Sequence, residues 1–149
     1  MKIPLQFIDG RLTVNAVFSC RGYRTSYSQV LFFIDTGSSK TFICETDALK
    51  LKLPLNSLRF KEHTKIAGST FEILEAPKES ILYFKKDDGK SCQIKLSFFC
   101  VARTTKKTED AKLEAAHLPS LIGTDFLLNN KLILYFAPHK NIYYLETEE

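Results

Sequence analysis

The chain lacks several signatures that would place it quickly. None of its four cysteines (Cys20, Cys44, Cys92, Cys100) falls in CxxC spacing, and no histidine lies near enough to complete a zinc signature. No His-Glu-x-x-His occurs, so a metal hydrolase would have to draw on the widely spaced His63, His117 and His139. The Gly-x-Ser-x-Gly elbow of serine hydrolases is missing too. No stretch reaches the ~20 apolar residues needed to cross a bilayer, and the first residues, Met1 to Leu5, hold no apolar leader. There is no low-complexity tract and no repeat of fixed period. Nor is the charge one-sided: 21 Lys and Arg stand against 17 Asp and Glu, a net +4. The basic residues are scattered, with doublets only at Lys85-Lys86 and Lys106-Lys107, which argues against a nucleic-acid stripe. The expectation is a soluble cytoplasmic protein with reduced thiols, bound to neither membrane nor nucleic acid. Cys44 and Cys100 sit in apolar runs and read as small buried hydrophobes.

What is present points to strands. The 149 residues are 44% hydrophobic and 12% aromatic, enough for one domain spanning 1–149 and too few for two. Ile3, Leu5 and Phe7 alternate with other residues, as do Leu12, Val14, Ala16 and Phe18. Asp9-Gly10 between them is a strong two-residue hairpin signal. Residues 21 to 29 read as a loop. Val30 to Ile34 is apolar throughout and predicts a strand buried on both faces. Glu45 to Leu53 suits a short helix ended before Pro54. From Arg59 to Val101 the pattern is strands broken by turns at Ala67-Gly68, Ala76-Pro77 and Asp87-Asp88-Gly89, with period two at Ile81, Tyr83, Ile94, Leu96 and Phe98. Arg103 to His117 is charged without a persistent apolar face, a surface loop or short exposed helix. After Pro119, Gly123 breaks a strand, Thr124 or Asp125 can cap a short helix, and Asn129 or Asn130 can end it. Two last strands, Leu132 to Phe136 and Ile142 to Leu145, flank a turn at Pro138 to Asn141. The fold class expected is mostly β with one or two short helices.

One junction carries chemistry. Five apolar residues end abruptly at Asp35-Thr36-Gly37-Ser38-Ser39. A carboxylate closing a buried strand needs partners, and Gly37, free to take positive φ, can turn main-chain N–H groups toward it. A strand-to-turn junction of ordinary kind uses the same residue types. Downstream, Leu118-Pro119-Ser120-Leu121-Ile122-Gly123-Thr124-Asp125-Phe126-Leu127 offers two aliphatics and a glycine leading into a helix.

Together these two motifs resemble the retropepsin-like aspartic proteases, in particular their cellular and microbial branch. There a hydrophobic strand ends in Asp-Thr-Gly-Ser/Ala, and a later aliphatic-aliphatic-Gly strand threads past the catalytic loop. The resemblance implies a closed β-barrel, an endopeptidase acting on protein or peptide substrates, and neither metal nor cofactor. It implies that Asp35 is the catalytic carboxylate and that Thr36 hydrogen-bonds its counterpart across a dimer axis. Gly37 would present its backbone, and Ser38 would donate its hydroxyl to the outer oxygen of Asp35. Leu121 and Ile122 would bind substrate, and Gly123 would permit the strand crossing. Thr64 to Thr70, with Gly68 and Ser69 near its tip, is the candidate flap hairpin; an ordinary hairpin turn is the alternative. Retroviral members pair an Asp shortly after the motif with an Arg after the later glycine; Ser39 and Thr124 stand at those places here.

That chemistry needs two carboxylates sharing a proton, one as base on water and one polarising the scissile carbonyl. Only one Asp-Thr-Gly is present, so a symmetric homodimer is expected to supply the second Asp35. Ile3 to Phe7 and Ile142 to Leu145 are its candidate interface strands. A catalytically silent dimerisation or peptide-binding module on the same fold is the competing expectation.

Overall fold

In a computed structural model of the chain, which describes residues 1–25, 28–66, 68–76, 79–97, 99–105 and 108–147, the first turn forms as its sequence dictates. Asp9 and Gly10 have φ of 51° and 76°, the two left-handed residues that a tight hairpin matching strand twist requires. They join β2 (Gln6–Ile8) to β3 (Arg11–Cys20). The opening alternation is split at Leu5, because β1 (Lys2–Pro4) leaves the hairpin to pair with the last strand. The expected turns at Ala67 and Pro77, the alternating position Phe98 and the Lys106-Lys107 doublet lie outside the described residues.

The other strands are β4 (Gln29–Ile34), β5 (Phe42–Cys44), β6 (Arg59–Ile66), β7 (Ser69–Glu75), β8 (Ser80–Lys85), β9 (Ser91–Leu96), β10 (Cys100–Thr104), β11 (Ser120–Ile122), β12 (Leu132–Ala137) and β13 (Ile142–Thr147). Ten strands form one sheet in the order β6-β7-β10-β5-β11-β4-β3-β8-β9, with β2 beside β3; a small sheet runs β1-β13-β12. The expected closure into a barrel does not occur. The large sheet ends in β6 and β9, which do not pair with each other. Both edges carry exposed charge, Arg59, Lys61, Glu62 and Lys65 on β6 and Lys95 on β9, which opposes edge-to-edge pairing.

Helix is confined to short pieces. α1 (Glu45–Lys50) and α3 (Thr124–Asn129) fall within the segments expected to be helical, and α2 (Glu109–Ala116) occupies the charged segment. Glu109 and Asp110 in its first turn favour a helix N-terminus. Among the described residues no helix is long and apolar enough to cross a membrane.

The main core gathers Phe18, Phe32, Phe84, Phe99, Phe126, Ile122 and Leu145. β4 is not buried on both faces as expected. Val30 and Phe32 point into this core, while Leu31 is 41% exposed and Phe33 and Ile34 are half-buried. On that second face Phe33 packs beside the smaller cluster of Phe42, Phe71, Ile73 and Leu121 and lines an open groove. Ile3 pairs with Leu145, and both are fully buried within the subunit. These two apolar residues of the terminal strands belong to the subunit's own core, while Phe7 and Ile142 remain exposed.

Candidate active site

The acid-bearing loop begins where β4 stops. β11 inserts between two strands there, parallel to β4 (Ile122 beside Ile34) and antiparallel to β5 (Leu121 beside Phe42). Its last register position continues into the loop, for the Asp35 N–H donates to the Ile122 carbonyl at 3.0 Å. Three hydrogen bonds among Ser120, Cys44 and Asp47 hold β11 at depth. Ser120 Oγ donates to Asp47 Oδ2 at 2.7 Å, Cys44 Sγ donates to the same oxygen at 3.2 Å, and the Cys44 N–H donates to Ser120 Oγ at 3.0 Å. Burial pushes the Cys44 thiol up, and its Sγ is engaged as a donor to Asp47. Burial raises Cys100 likewise.

Gly37 N–H donates to Asp35 Oδ1 at 2.9 Å, and Ser38 N–H donates to the Asp35 carbonyl at 3.1 Å. This is the main-chain support that the sequence implied, reached by a different route. Gly37 is not in the left-handed region; its value is room, since a Cβ there would lie 3.1 Å from the carboxylate oxygen. The carboxylate is also not buried: Asp35, Thr36 and Gly37 are exposed in the single chain. Ser38 departs from its expected role. Its hydroxyl donates to the Lys40 carbonyl at 2.8 Å and accepts the Lys40 N–H at 3.4 Å. A short Oγ–carbonyl bond to its own loop outcompetes the swing toward Asp35.

Behind the loop stands a clasp that the sequence reading missed. Asp125 is not the N-cap of α3, which is Gly123 with no side-chain bond, although its Oδ1 accepts the Phe126 N–H of the first turn at 2.7 Å. Its carboxylate also accepts the Thr41 N–H at 3.1 Å and the Thr41 hydroxyl at 2.7 Å. Thr41 Oγ1 in turn accepts the Gly123 N–H at 2.9 Å, and the Thr124 N–H donates to the Ser38 carbonyl at 2.9 Å. Gly123 has ordinary extended backbone (φ −96°), so its necessity is spatial. A Cβ would sit 2.6 Å from the Lys40 oxygen and 2.7 Å from the Ser38 oxygen. The only signal for Asp125 in the sequence was its place two residues after this glycine. On the outer side, Lys40 bonds Glu62 on β6, and that contact holds the Glu62 carboxyl below its usual range.

A groove of about 520 Å³ opens beside Asp35 and Thr36, walled by Phe7, Leu12, Phe33, Leu121, Leu134 and Phe136, with Arg11 on its lining. Phe7, Phe136 and Tyr143 pack ring against ring at 5.3 to 5.7 Å. Of the residues expected to touch substrate, Leu121 lines this groove. Ile122 is fully buried in the core and Gly123 is spent on the clasp. Gly68 (φ 84°) and Ser69 form the turn end of the β6–β7 hairpin, where Ile66 faces Ser69, and neither lines the groove. Nothing in the local sequence marked Phe7, Arg11 or Phe136, which reach the site only through the hairpin and the small sheet. Among the described residues no three His, Cys, Asp or Glu side chains are grouped to hold a metal, and His63 packs against Phe60 at 4.9 Å.

The fold that presents this loop is the retropepsin-like one. The crystal structure of a retropepsin-like aspartic protease from Rickettsia conorii superposes with a TM-score of 0.57, covering 99% of this chain and 89% of that chain at 17% sequence identity. No family model matches the sequence, and no curated protein does.

Proposed function

We propose that the chain is one subunit of a homodimeric aspartic endopeptidase, with Asp35 and its copy as the catalytic pair. The observation that carries this reading is the Asp35 loop itself. A lone carboxylate, held by the Gly37 N–H at 2.9 Å, is displayed at an apolar groove by a loop clasped from behind through Thr41 and Asp125. The likeness in fold to a retropepsin-like aspartic protease supports it.

Exposure of Asp35 and Thr36 in the single chain suits a two-fold axis passing beside them, where each Thr36 hydroxyl would meet its counterpart's loop. Two carboxylates brought together cannot both ionise and would titrate as a unit. The ionised one takes a proton from water as its oxygen attacks the scissile carbonyl carbon. The protonated one donates a hydrogen bond to the carbonyl oxygen, and a carboxyl proton then passes to the departing amine. An extended substrate would lie along the groove with apolar side chains against Leu121 and Phe33, and the β6–β7 hairpin would serve as the flap that closes over it.

Digestion of casein or a peptide library tests the reading. Cleavage inhibited by statine compounds and lost in Asp35→Asn is expected. A folded, dimeric protein that binds peptides and never cleaves them would replace the enzyme with a silent module.

A further inference from the structure

The groove carries a second charge, and its setting differs from that of the ion-paired basic residues. Lys40, Arg59, Lys61, Lys95 and Arg103 each have a carboxylate within ion-pair distance. Arg11, first residue of β3 and directly after the Asp9-Gly10 turn, has none among the described residues. Its one contact is aromatic: the guanidinium carbon lies over the Phe33 ring at 5.3 Å from the centroid. A guanidinium held over a ring keeps its N–H groups available for other partners. Arg11 lines the same groove as Asp35 and Thr36, whose other walls are apolar. A planar guanidinium fork matches a carboxylate two-pronged.

We propose that Arg11 is a specificity residue, selecting peptides that carry an acidic side chain on the same face as the large apolar side chain filling the groove. In an extended strand the side chains of residues i and i+2 share a face, roughly 7 Å apart. The selected pattern is therefore a large apolar residue with Glu or Asp two positions away. This rests on the proposed site being a peptide groove, and it goes beyond catalysis in naming the peptides that enter it.

The test uses peptide sets with Phe at the groove position and Glu, Gln or Lys two residues to either side. Binding of fluorescently labelled members is measured by anisotropy on Asp35→Asn protein, and cleavage on protein with Asp35 intact. The Glu peptide is expected to bind about fivefold tighter than the Gln peptide, and to be cleaved with a correspondingly lower KM. In Arg11→Gln the ratio falls to about one, and in Arg11→Glu the Lys peptide becomes the preferred one. The preference weakens as salt rises. Equal binding of Glu and Gln peptides, or a preference that survives Arg11→Gln, overturns the proposal. An Arg11-dependent preference in binding with no cleavage anywhere leaves the proposal standing and removes the catalytic reading instead.

Discussion

Two glycines and one acid decide whether the Asp35 loop exists. Gly123 is fixed by lack of space, so Gly123→Ala must push apart the Ser38 and Lys40 carbonyls. Chemical denaturation should show a loss of about 2–3 kcal/mol, and any cleavage activity should fall with it. Asp125→Ala strands the Thr41 N–H and hydroxyl and should cost about 1.5–3 kcal/mol. Asp125→Asn, which keeps one acceptor, should cost less, and thermal melts of the pair would order them. The residue-level legibility of the site follows from these contacts. The bond from the Gly37 N–H to Asp35 was legible because it closes over two residues. The Thr41–Asp125 clasp spans 84 residues, and nothing adjacent to either residue announces the other. Ser38 was misassigned because its hydroxyl has two partners within reach, and only geometry says that the Lys40 carbonyl wins.

Among the elements, the β6–β7 hairpin has the clearest electrostatic logic. Arg59 faces Glu75 across the hairpin, and Lys61 sits at the register shift between Phe60 and Glu62. The Glu75 carboxylate receives Lys61 at 2.9 Å and Arg59 at 2.8 Å. Lys61 first, then Arg59, hold its carboxyl below the usual range against the opposing effect of burial. A carboxyl lowered in the folded state stabilises it above the ordinary carboxylate range and loses that contribution as pH falls through the folded value. Glu75→Gln should therefore melt lower than the parent near neutral pH, by an amount corresponding to less than about 1 kcal/mol. The gap should close as the solution is taken below pH ~4. A gap constant down to acid would remove the ion pairs as its cause. Elements whose pattern was strong were legible, such as the Asp9-Gly10 hairpin and the final strand pair. β4 was misjudged because an apolar run looks the same whether its second face meets a helix or an open groove, as at Leu31 and Phe33.

For the whole molecule, sequence pattern carried fold class and left closure undetermined. Alternation tells each strand which side is inward, but whether β6 and β9 meet depends on the summed twist between them and on the charges along both edges. The homodimer is the proposal that operates at this scale. Phe7, Ile8 and Phe136 are apolar side chains left exposed in the single chain. Specific activity should drop on dilution through the dissociation range. Thr36→Val should shift that range to about tenfold higher concentration, through hydrogen bonds lost at the axis. Sedimentation equilibrium measures the shift directly, and a subunit that stays monomeric at every concentration ends the proposal.

The clasp also has a consequence in time. During synthesis the segment bearing Asp35 leaves the ribosome long before Gly123 and Asp125, so a partial chain has neither the strand that fills the slot between β4 and β5 nor the anchor for Thr41. Pairings so distant along the chain form late, after the intervening loop has been closed. A growing polypeptide thus leaves the Asp35 loop without its backing until β11 and the start of α3 have been made.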